Sequence, residues 1–108
     1  MDPERARELV AAERARIEQQ LAELGRGGID REEEFDTGDQ AADLYQEELD
    51  ESRERDLHEQ LRAVERAERR LADGTYGLSV ESGARIPDER LEALPLAELT
   101  VEEEAART

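Results

Sequence analysis

Val10, Ile17, Leu21 and Leu24 follow one another at intervals of seven, four and three residues, in a run otherwise made largely of Glu, Arg, Gln and Ala. Such spacing returns to one side of an α-helix and not to one side of a strand, so it predicts a helix whose apolar edge needs a partner. Leu57, Leu61, Val64 and Leu71 form a second seam, interrupted by Glu68, and Tyr45 and Leu49 continue it upstream after a shift of phase. Two helices of this kind joined by a connection predict an antiparallel coiled-coil hairpin. Of the 108 residues 36% are hydrophobic, 3% aromatic and 43% charged, too little apolar bulk to fill a large globular core, so the fold is expected to be thin and mainly α.

Local signals place the boundaries. Asp2 followed by Pro3 and Glu4 supplies a capping residue, a proline suited to the first helical turn and an acid against the helix dipole, so the first helix should begin near Pro3. Gly25-Arg26-Gly27-Gly28 is expected to end it, leaving 25–41 as an acidic connection in which Phe35 packs against the hairpin. The second helix should run from about Gln40 to Ala72, roughly 45 Å at about 1.5 Å per residue, and Asp73-Gly74 should close it. The expected division is therefore a hairpin over 1–73 and a separate segment over 74–108. In that segment Tyr76, Gly77, Gly83, Pro87 and Pro95 mark turns. Leu78, Ile86, Leu91, Leu94, Leu96 and Leu99 are expected to cluster, Tyr76 to bury its ring while its hydroxyl finds a partner, and Glu98 to Arg107 to hold a short last helix.

Charge narrows the function. There are 31 acidic residues against 15 basic ones, all Arg, and the net charge of −16 repels phosphate backbones and anionic lipid, which argues against nucleic-acid and membrane partners and against self-association beyond a monomer. No apolar run approaches bilayer length and no basic stub with a hydrophobic stretch opens the chain, so a cytoplasmic protein is expected. With no cysteine there is no disulfide, thiol catalysis or thiolate metal site. His58 lacks the second histidine of a helical zinc site and reads as a surface residue. Asp36 and Asp39 lie three apart just before the second helix, and Glu32-Glu33-Glu34 adds negative potential beside them, so the connection presents an acidic tip. Asp39 equally suits a helix N-cap. No nucleophile, paired base or ligand set accompanies these acids, and an enzyme is not expected.

The tip pattern D-x-x-D-x-A, met by Asp36, Asp39 and Ala41, is followed at a suitable distance by Tyr76-Gly77, by G-x-x-I-P over Gly83 to Pro87 and by R-L-E-A-x-P over Arg90 to Pro95. With these motifs the chain, from Arg5 to Glu104, resembles the DksA/TraR family of bacterial transcription regulators. The resemblance implies a coiled-coil hairpin joined to a small C4-type zinc finger, with the hairpin inserted into the secondary channel of RNA polymerase and Asp36, Asp39 and Ala41 as the partner-binding tip. It also exposes a departure: where the family places its two C-x-x-C pairs, this chain has Ser79 and Ser82, then Thr100 and Glu103.

Three hydroxyls and one carboxylate are a poor zinc donor set, so a metal-free version of the same shape is expected, with no cofactor, held by the leucine cluster and the last helix. Some members hold the alarmone guanosine tetraphosphate near the junction of hairpin and finger. The corresponding Asp56, Gln60, Ala63, Leu94 and Glu104 offer little to a polyphosphate, although Arg62, Arg66 and Arg90 stand nearby as secondary partner contacts. The alternative is a coiled-coil adaptor for a different protein, in which Asp36 and Asp39 are dispensable.

Overall fold

In the computed structural model Asp2 begins the first helix as its residue type allows: the Glu4 N–H donates to Asp2 Oδ1 at 3.2 Å and the Ala6 N–H to the Asp2 carbonyl at 3.0 Å. The described residues are 1–33 and 40–107, with side chains described for 1–25 and 47–107. Helix α1 spans Pro3–Glu33, so Gly25-Arg26-Gly27-Gly28 does not end it, and the connection expected over 25–41 is shorter. Glycine permits a left-handed turn without imposing one, and each glycine in a helix costs only about 1 kcal/mol relative to alanine. Gly25 keeps a helical φ. Phe35 lies outside the described residues.

Helix α2 spans Gln40–Asp73 and stops where expected. Gly74 turns left-handed at φ 77°, which lets the Thr75 N–H donate to the Arg70 carbonyl at 2.9 Å and satisfies an end-of-helix acceptor. Gly74→Ala should lower stability by about 1 kcal/mol in urea denaturation, because an L side chain is strained at that φ.

The described chain divides into two compact units. The first, residues 15–62, pairs the later part of α1 with the early part of α2. Ile17 and Leu57 are buried there, Leu21, Leu24 and Leu61 are half-buried, and Leu49 is exposed. Arg16 Nη2 donates to Gln60 Oε1 at 3.2 Å across the pair.

The second unit joins residues 1–14 to 63–108. Ala6 and Val10 of α1 and Val64 and Ala67 of α2 are buried, and the two alanines allow close helix packing. Glu68, which breaks the apolar seam, meets Arg14 in a bidentate pair at 3.0 and 2.9 Å, and that hydrogen bonding holds its carboxyl below the usual range. Beyond α2 come a single antiparallel bridge between Leu78 and Arg85, helix α3 at Asp88–Ala93, and helix α4 at Val101–Arg107. Ile86 and Leu91 form the buried centre of this segment, with Leu96 and Leu99 half-buried. Leu78 and Leu94 are exposed, contrary to the expected six-member cluster. The Leu94 N–H donates back to the Arg90 carbonyl at 2.7 Å as the end of α3, which leaves its side chain outside. Arg5 forms two hydrogen bonds to Glu92, at 2.9 and 2.7 Å, and so fastens α1 to α3.

Candidate functional site

Asp36 and Asp39 lie among residues 34–39, outside the described residues, and Ala41 is in the first turn of α2 with its side chain likewise outside them. The other sequence-derived positions can be located. Ser79, Ser82, Thr100 and Glu103, separated by up to twenty-four positions in the sequence, are brought together in the second unit.

Each pair is first organised locally. Ser79 is 5% exposed, and its Oγ accepts the N–H groups of Glu81 at 3.1 Å and Ser82 at 3.3 Å, closing a tight turn. Ser82 Oγ accepts the Ala84 N–H at 3.2 Å. Thr100 caps α4: its Oγ1 accepts the Glu103 N–H at 3.2 Å, while Glu103 Oε1 accepts the Thr100 N–H at 2.9 Å. That reciprocal pair is a capping box, and the T-x-x-E spacing that encodes it stands in the sequence as Thr100-Val101-Glu102-Glu103.

The two segments are joined by the Val80 N–H, which donates to the Glu98 carbonyl at 2.9 Å, and by Arg107 of α4, which pairs with Glu81. Hydrogen bonds from the Ser82 hydroxyl, the Thr100 N–H and the Ser79 hydroxyl hold the Glu103 carboxyl far below the usual carboxylate range, at about 2. These residues do not fit zinc. Hydroxyls are weak ligands for it, and Ser79 Oγ already accepts two backbone N–H groups, which uses both of its lone pairs. Among the described residues no group of three or more His, Cys, Asp or Glu is placed to hold a metal ion.

The arginines proposed as secondary contacts are all engaged within the chain. Arg62 Nη2 pairs with Glu59. Arg66 makes a bidentate contact with Glu98 at 3.2 and 3.1 Å. Arg90 donates from Nε to the Leu99 carbonyl at 3.1 Å and from Nη2 to Glu104. Sequence reading missed Arg70, whose Nη1 donates to Glu98 Oε2 at 2.9 Å and whose side chain is 13% exposed. Its Nε and Nη2 are buried with no hydrogen-bond partner among the described residues. The available signal was Arg66 and Arg70 four apart on one helix, which places two guanidinium groups on the same face.

Burial pushes the Glu98 carboxyl up, but the hydrogen bond and charge of Arg66 together with the charge of Arg70 outweigh it and leave the group below its ordinary value. Tyr76 donates its hydroxyl to the Pro95 carbonyl at 2.8 Å, and burial raises the phenol above its ordinary value. His58 is exposed and faces Glu54 at 3.7 Å. No helix among the described residues is long and apolar enough to cross a membrane.

No protein-family model matches the chain. Among solved structures it is similar to the transcription factor DksA2 from Pseudomonas aeruginosa, with a TM-score of 0.87 and 25% identity over 97% of this chain and 81% of that one. Among curated proteins it is 47% identical over 60 residues to the uncharacterized protein YteA of Bacillus subtilis and 51% identical over 47 residues to general stress protein 16O of the same organism. These matches take in 56% and 44% of this chain but only 25% and 29% of the two relatives' lengths.

Proposed function

We infer, for a chain that has the DksA/TraR-like fold, that it is a non-enzymatic transcription regulator acting on RNA polymerase, its acidic tip entering the secondary channel. The observation that carries the reading is the fold shared with a transcription factor over 97% of the chain. The tip pattern of Asp36, Asp39 and Ala41 at the start of α2 agrees with it. In this reading α1 and α2 are the arm and the tip delivers two carboxylates to a region that holds a catalytic magnesium ion and mobile basic elements. There they compete for basic side chains or disturb metal-bound water and so bias initiation. Arg62, Arg66 and Arg90 serve as secondary contacts, with part of each guanidinium already committed to an internal partner. No zinc is required, because the positions that would ligate it are committed to hydrogen bonds.

The test is a pull-down with purified core RNA polymerase, followed by transcription in vitro. The chain should bind, and Asp36→Asn with Asp39→Asn should leave binding within about twofold while reducing the transcriptional effect at least about tenfold, the scale of one lost charge-assisted contact. A chain that does not bind polymerase removes the reading. A double variant with unaltered effect moves function from the tip to the helical seams, as in a coiled-coil adaptor.

A further inference from the structure

No residue from Pro95 to Arg107 is fully buried: Leu96 and Leu99 are half-buried, Val101 is exposed, and α4 adds nothing to the core. A stretch so placed gains little from burial, so its attachment rests on polar contacts with its neighbours. Most of those contacts share one polarity. The Tyr76 hydroxyl donates to the Pro95 carbonyl at 2.8 Å, the Val80 N–H to the Glu98 carbonyl at 2.9 Å, and Arg90 Nε to the Leu99 carbonyl at 3.1 Å. The Glu98 carboxylate takes Arg66 at 3.2 and 3.1 Å and Arg70 at 2.9 Å, and Glu104 takes Arg90. Arg107 donates in the other direction, to Glu81. Glu98 stands at the crossing, since its side chain reaches α2 while its main chain reaches the serine turn.

We propose that residues 95–107 form a polar latch with Glu98 as its catch: 95–100 and α4 lift away together, as one local unit, while α2, the serine turn and α3 stay folded. The parts of the latch depend on one another. At seven residues α4 is too short to persist undocked, and its cap at Thr100 directly follows the two carbonyls that Val80 and Arg90 hold. The residues beneath have bonds of their own. The Ile86 N–H donates to the Gly77 carbonyl and the Ser79 N–H to the Ala84 carbonyl, both at 2.8 Å, and Ile86 and Leu91 are buried. Lifting the latch takes Glu98 from Arg70 and Glu104 from Arg90, so the two forms differ in the charge that α2 and α3 present. The latch is independent of whether the chain acts on polymerase.

The experiment is amide hydrogen exchange on the full unsubstituted chain, over a series of urea concentrations below the unfolding transition. The amides of Val80, Ala97, Thr100 and Glu104 all donate within the latch or to it. They should share one opening, at least about tenfold more frequent than that of Ile86 and Val64. That opening should depend weakly on urea, because lifting a segment without buried residues exposes little surface. Protection equal to that of Ile86 and Val64, or four unrelated values, overturns the proposal.

Glu98→Gln keeps the shape of the catch and removes its charge. It should speed exchange at Ala97, Thr100 and Glu104 together by about thirtyfold, the scale of a lost hydrogen bond to a charged group, while Glu102→Gln on exposed α4 leaves them within about twofold. No acceleration in Glu98→Gln overturns the latch. If Glu98→Gln unfolds the whole chain, Tyr76→Phe, which withdraws the hydroxyl from Pro95 and leaves the ring, decides in its place. Exchange about fivefold faster at those three amides supports the latch, and no change overturns it.

Discussion

Leu91→Ala is expected to destabilise the protein by about 3 kcal/mol, within the range of about 2–5 kcal/mol for truncating a buried leucine. Leu91 is 1% exposed and sits on α3 beneath Gly77, where a Cβ built on the glycine would lie 3.5 Å from Leu91 Cδ1. In thermal unfolding the change should appear as a fall of about 15 °C in Tm. Leu94→Ala is the matched control. With Leu94 52% exposed, it should change stability by less than about 0.5 kcal/mol. Equal losses from the two variants would mean that the segment is not packed around Leu91.

Glu98→Gln should cost about 2 kcal/mol near neutral pH. Most of that comes from Arg70 rather than Arg66. The Arg66 guanidinium is 45% exposed, and its pair with Glu98 is screened by water to a few tenths of a kcal/mol. Arg70 is 13% exposed and already has two nitrogens without partners, so losing Glu98 strands a largely buried cation. The pH dependence has a definite sign. Glu98 ionises below its ordinary 4.5 when folded, so its contribution is complete above that value and is lost as pH falls toward the folded pKa. Urea denaturation curves of the two proteins should differ near neutrality and converge in acid below about pH 4.5. A difference that persists unchanged in acid would assign the effect to packing instead of charge.

Where a feature depends on local chemistry, the sequence displayed it. Asp2-Pro3-Glu4 and Asp73-Gly74 mark the start of α1 and the end of α2 because capping and left-handed backbone are decided by single residues. Val10, Ile17, Leu57 and Val64 fell on the predicted stripes and are buried. Ala6 and Ala67 are equally buried but carry no periodic signal strong enough to separate them from the surface alanines around them. The glycines after Leu24 misled because helix continuation is settled by the whole helix and not by the permissive residue. The cysteine-less positions were legible as a departure, yet their solution was not. A capping box could be read from Thr100 and Glu103, whereas the bond from the Val80 N–H to the Glu98 carbonyl, which ties the serine turn to the residues before α4, is tertiary. Glu98 as the shared acceptor for Arg66 and Arg70 is tertiary in the same way.

The Arg5–Glu92 pair spans 87 positions in the sequence, and the unit that contains it is assembled from both 1–14 and 63–108. During synthesis the opening turns of α1 therefore leave the ribosome long before their partners exist, while residues 15–62 form a contiguous stretch able to pair as soon as it emerges. The partners of the first fourteen residues are made last, which makes docking of that stretch the expected late event of folding.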